Sequence, residues 1–116
     1  MLTINAAQQE ALEASALAAF YTRASRFIRE HWPELVVRKT EKELHEFVVR
    51  CREEALSHGV STERVIMYWA FLALKVGDKF HQIPRVAQAL KANSGEVIID
   101  ALMSRVAILE MRGGKR

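Results

Sequence analysis

Ten consecutive residues, Val65 to Leu74, carry no charge, and Arg64 and Lys75 close the run at either end. A bilayer span needs about 20 apolar residues, so this stretch is too short to cross a membrane and its side chains must be sheltered by protein. It lacks the two-residue alternation of a half-buried strand. Ser61 supplies an N-cap before it and Gly77 a stop beyond it, so the run predicts a helix, with Val60 and Val65 clasping across its start as a hydrophobic staple. Ile66, Met67, Tyr68, Trp69, Phe71, Leu72 and Leu74 leave this helix little polar surface. Such a helix is either central in a bundle or covered by a partner.

The rest of the chain also reads as helix. From about Asn5 to His31, Leu12, Ala16, Phe20, Ala24, Phe27 and Ile28 recur at three- and four-residue steps along one stripe, with Thr3 or Asn5 as cap and Pro33 as terminator. Thr40 and Glu43 form a capping box that opens a second helix running to about Ser57. Its buried stripe is Leu44, Phe47, Val48, Cys51 and Ala55, while Lys42, Glu46, Arg50 and Glu54 follow one another on the wet face. Gly59 ends it. Pro84 suits the first turn of a short helix carrying Val86, Ala87 and Leu90, interrupted at Asn93, Ser94 and Gly95. A last helix, capped by Ser94 or Gly95, presents Val97, Ile98, Ala101, Leu102, Val106 and Leu109 to the apolar helix before it. The expected fold is all-α, a single-domain bundle of about five helices over residues 1–112, with a flexible basic tail at 113–116.

Half of the 116 residues are hydrophobic and 27% are charged, which is globular rather than disordered composition. The net charge of +3 is too mild to indicate nucleic acid, and Arg23, Arg26 and Arg29 read as a solvated helical face. One cysteine, Cys51, excludes an internal disulfide, and the first twenty residues lack the basic start of a secretory signal. A cytoplasmic setting follows as the expectation.

No catalytic or ligand constellation emerges. His31, His45, His58 and His81 fall on helix ends, one helix face and a loop, without metal-ligand spacing. Cys51 lies in an apolar stripe, the paired acids sit on exposed turns among basic neighbours, and each glycine punctuates a helix end rather than cradling a phosphate. No enzyme, metal or cofactor is expected. The spacing of Ala55, Gly59, Val60 and Val65 matches a helix-turn-helix. Its outward positions would be Ser61, Thr62, Glu63, Ile66, Met67 and Ala70, an acidic and apolar set ill suited to base edges, so DNA binding is the alternative rather than the main reading. Consecutive aromatics cannot all face one core, so Met67, Tyr68, Trp69 and Phe71, with Phe80 beyond, are candidate protein-docking residues. Trp32 beside Pro33 is a second candidate anchor.

The order of these features resembles a group of small helical proteins encoded beside spike, effector and adaptor genes of bacterial type VI secretion systems. The resemblance rests on Gln8 and Gln9, then His31, Trp32 and Pro33, and then His58, Gly59, Val60, Glu63, Tyr68, Gly77, Phe80 and Pro84. It departs at Asp78, which here precedes Lys79 and Phe80 where the group carries its acid after the Phe. The resemblance implies a co-chaperone that helps an adaptor hold or load a secreted effector. An immunity protein neutralising a toxin is the competitor from the same gene neighbourhoods. The expected function is a non-enzymatic protein-binding module whose partner is an adaptor chaperone or effector.

Overall fold

A computed structural model describes residues 5–113, and side chains as far as residue 106. Five α-helices are present among the described residues: α1 Ala6–His31, α2 Glu41–Ser57, α3 Glu63–Lys75, α4 Pro84–Ala92 and α5 Gly95–Gly113, with single 3-10 turns at Pro33–Leu35 and Phe80–Gln82. No strand occurs among those residues, and the fold class is all-α, as the periodicity predicts. No helix among them is long and apolar enough to cross a membrane. Gly113 closes α5, and the remainder of the expected basic tail lies outside the described residues. Contacts gather into two compact units that divide between Val48 and Val49, inside α2.

In the first unit, Asn5 caps α1 through a reciprocal box. Its Oδ1 accepts from the Gln8 N–H at 2.8 Å and its own N–H donates to Gln8 Oε1 at 3.1 Å. Pro33 ends the helix as expected, with Trp32 as C-cap. The buried face is Phe20, Tyr21, Ala24, Ser25 and Ile28. Leu12 and Ala16 are exposed and Phe27 keeps 42% of its surface, so these three are not core. At about 100° per residue Ala16 and Phe27 lie roughly a quarter-turn from the centre of the buried face and Leu12 lies nearly opposite it. The helix nevertheless persists through the exposed stretch from Ala6 to Ala16, because Ala, Leu, Gln and Glu hold a helix by propensity.

Thr40 and Glu43 make the predicted capping box at the start of α2, at 2.9 and 3.1 Å. The backbone N–H of Thr40, then its hydroxyl, hold the Glu43 carboxyl below its ordinary pKa. Arg29 ties the intervening loop to α1, donating to the carbonyls of Val36 at 3.0 Å and Lys39 at 2.9 Å and pairing with Glu41 at 3.1 Å.

The second unit begins with the C-terminal half of α2, where Cys51 and Ala55 are buried. Gly59, at φ 81°, turns the chain left-handed. Its N–H bonds the Leu56 carbonyl at 3.1 Å and the Val60 N–H bonds Ala55 at 2.9 Å, the two bonds of a Schellman cap. Helix α3 then starts one residue later than expected, with Thr62 rather than Ser61 as N-cap and no side-chain bond of its own. That shift takes Val60 and Val65 out of staple register, although both are buried.

The missing cap comes from α5. Glu96 Oε1 accepts from the N–H groups of Ser61 and Thr62 at 2.7 Å each, and Oε2 from the Thr62 hydroxyl at 3.0 Å. The Thr62 N–H foremost lowers the Glu96 pKa; burial opposes it, and the Ser61 N–H and the Thr62 hydroxyl add to the lowering. Gly95 makes this approach possible, because a Cβ there would overlap the carbonyl oxygen of His58. Helix α5 packs along α3 as the sequence predicts, and α4 packs against both α5 and the Phe80–Gln82 turn. The phase of α5 differs from expectation. Ile99 is its fully buried residue, Val97 is 62% exposed, Ala101 is exposed, and Ile98, Leu102 and Val106 are half-buried. The Leu109 side chain lies outside the described set.

Candidate protein-binding site

The apolar run is sheltered by the chain itself. Val65, Ile66, Trp69, Ala70, Phe71, Leu72 and Ala73 are buried, and Met67, Tyr68 and Leu74 are half-buried. Trp69, Phe71 and Phe80 therefore belong to the core rather than to a presented surface, which corrects their assignment as docking residues. The physical reason is geometric: turns on both sides of α3, together with α5, deliver enough apolar cover for several faces of one helix. Met67 and Tyr68 keep partial exposure, and Tyr68 is engaged by Arg64, whose guanidinium donates to the phenol oxygen at 3.1 Å and to Asp100 at 3.1 Å.

Around Trp69 the rings gather closely. His58 stacks on it with centroids 5.4 Å apart, Phe80 meets it edge-on at 4.9 Å, and His81 lies 5.3 Å away. His81 Nε2 approaches Glu54 Oε2 at 3.4 Å. This carboxylate–imidazole pair has the form of an oriented base, and the rings flanking His81 are those of His58, Trp69 and Phe80. Among the described residues no three His, Cys, Asp or Glu side chains gather as metal ligands. Cys51 is buried.

A different set of aromatics faces solvent. At the end of α1, Phe27 stacks on His31 with centroids 4.1 Å apart and meets Trp32 edge-on at 5.3 Å. Phe27 and His31 are exposed, Trp32 is half-buried, and Val37 beyond the 3-10 turn is 76% exposed. Helix geometry makes the cluster: Phe27 and His31 are one turn apart on one face, and Pro33 halts the helix so that Trp32 folds back toward them. The His31 ring nitrogen Nδ1 lies 3.0 Å from the Phe27 carbonyl, which fixes the ring. Exposed Arg23, Arg26 and Arg38 share this part of the first unit. Of the residues singled out from sequence, Trp32 alone belongs to the patch. Phe27 and His31 were hidden because Phe27 fits the apolar stripe of α1 and His31 reads as a helix-end cation; the aromatic spacing 27, 31, 32 was the available signal.

The helix-turn-helix spacing is real as a turn, but Ile66 and Ala70 point inward rather than out. Glu63 occupies the first turn of α3 and the Glu96 carboxylate lies on its leading N–H groups, so the helix end that would meet a phosphate already holds negative charge. The fold and its surface define a small all-α protein with an exposed aromatic patch. No known protein family, characterised protein or solved structure matches the chain.

Proposed function

We propose that this chain is a non-enzymatic protein-binding module, acting in the accessory, co-chaperone role that its resemblance to type VI secretion cluster proteins implies. The observation that carries the reading is the stacked, solvent-facing cluster of Phe27, His31 and Trp32. Aromatic side chains give large contact area at low conformational cost, and Trp, Tyr and Arg dominate the energetics of protein interfaces. Here Phe27 stands one helical turn from the exposed Arg23, a combination suited to an apolar segment with an acidic flank. Helix-turn-helix recognition of DNA is disfavoured by the carboxylates at the start of α3.

The test is co-purification with a type VI adaptor and effector, the partners that the resemblance implies. Phe27→Ala and Trp32→Ala should each weaken capture at least about tenfold, as loss of an interface anchor does. Helicity measured by circular dichroism should stay unchanged for Phe27→Ala, since that residue is not core. Capture of both partners at undiminished strength by a folded double variant would refute the assignment.

A further inference from the structure

The second unit holds an open cleft of about 420 Å³ between the C-terminal end of α2 and α4, lined by His58, His81, Gln82, Ala87, Leu90 and Lys91. Leu90 and Lys91 lie three and four positions on from Ala87, so all three share one face of α4. No residue of α4 is fully buried, and Ala87 and Leu90 keep apolar surface on that face. On the opposite wall the His58 ring is held by stacking on the buried Trp69, with centroids 5.4 Å apart. His81 adds only wall, because its Nε2 is paired with Glu54 at 3.4 Å and its Nδ1 is buried.

Three side chains at the rim are open to a ligand. Gln82 and Lys91 are exposed and His58 is half-buried. Among the described residues no hydrogen bond or ion pair holds any of the three, whereas Arg29, Arg64 and His81 each have a carboxylate partner. The lining includes no carboxylate. The carbonyls of Ala55 and Leu56 at the end of α2 are taken by the N–H groups of Val60 and Gly59, which mutes the negative end of that helix. An ammonium, an amide and an imidazole can all donate, and they stand beside uncovered aliphatic surface. We propose that this cleft binds a small amphipathic carboxylic acid, its carboxylate held by Lys91 with Gln82 and His58 and its apolar body lying on Ala87 and Leu90. A few convergent polar groups on an apolar bed are the usual make-up of a small-molecule site, and the charge-assisted bond from Lys91 fixes the sign of the ligand. This site is separate from the aromatic patch and stands whether or not that patch docks a protein.

The experiment is a titration of the full-length, 15N-labelled chain with sodium benzoate and, separately, sodium hexanoate at constant ionic strength. The amides of His58, Gln82 and Leu90 should shift saturably with at least one of the two; benzoate alone assigns an aromatic body, hexanoate alone an aliphatic one. Acetate, which keeps the charge without the body, and benzyl alcohol and hexanol, which keep the body without the charge, should each bind at least about tenfold more weakly. Lys91→Gln, an exposed change that suits a helix, should weaken binding of the acid about tenfold and leave the alcohols unaffected. Gln82→Ala should weaken it several-fold. Shifts that stay linear with both acids, alcohols that bind as tightly as the acids, or an affinity that Lys91→Gln leaves unchanged would overturn the proposal.

Discussion

Replacing Gly95 by Ala sets two effects against each other. Alanine is favoured over glycine inside a helix by about 1 kcal/mol, and Gly95 is the first residue of α5, so propensity alone predicts a small gain. The packing predicts the opposite. A Cβ at this position overlaps the carbonyl oxygen of His58 and sits 3.0 Å from both its carbonyl carbon and Val60 Cγ2. Backbone cannot swing away as a side-chain tip does, so the start of α5 must back off from the end of α2. Forced overpacking of this kind costs typically 1–3 kcal/mol, and the upper part of that range applies where backbone meets backbone. The same retreat pulls Glu96 off the N–H groups of Ser61 and Thr62. The expected net result is destabilisation of about 2 kcal/mol, or a fall in Tm of roughly 8 °C for a chain of this size. Urea and thermal unfolding followed by circular dichroism measure it, with the difference between Ser104→Gly and Ser104→Ala, at an exposed interior position of the same helix, as the control that isolates propensity. A Gly95→Ala variant as stable as the wild type would mean that the helix junction is not as close as described.

Three further perturbations test separate parts of the structure. Gly59→Ala places a side chain at φ 81° with no serious clash, its nearest new neighbour being 3.8 Å away, so it should cost only about 1 kcal/mol of backbone strain, and Gly59→Asn less, in the same unfolding assay. Trp69 is fully buried with its Nε1 unpartnered, so Trp69→Phe should lose far less than the roughly 3–5 kcal/mol of Trp69→Ala; equal losses would show that the indole N–H is satisfied after all. The Glu96 carboxyl, whose folded pKa lies below the ordinary 4.5, stabilises the fold above that value, and the contribution disappears as pH falls through the lowered one. Glu96→Gln should thus be less stable than wild type near neutrality, with the gap narrowing on acidification; a gap that widens in acid would reverse the sign of the linkage.

Local chemistry was legible from the residues alone. The Thr40–Glu43 box, the end of α2 at Gly59 and the start of α4 at Pro84 follow from groups within a few positions of each other, and so do the five helices. Long-range features were not. Ser61 was a sound cap on local grounds, but the actual partner of those N–H groups is Glu96, 34 positions on from Thr62, and nothing in the residues between reports that pairing. Three adjacent aliphatics, Val97, Ile98 and Ile99, fit more than one helix phase, and only packing selects Ile99 for the core. The aromatic patch was half visible through Trp32. Phe27 was assigned inward because a periodic stripe marks which residues could be buried without saying how far along the helix cover extends.

The distance between Thr62 and the carboxylate that seats it also has a temporal meaning. Protein synthesis delivers the greasy stretch from Val65 to Leu74 before the segment that roofs it, so a growing polypeptide passes through an interval in which that stretch is out of the ribosome and its lid is not. Whatever guards the nascent chain from clumping must act in that interval, and release becomes safe only when Gly95 and Glu96 arrive to close the joint.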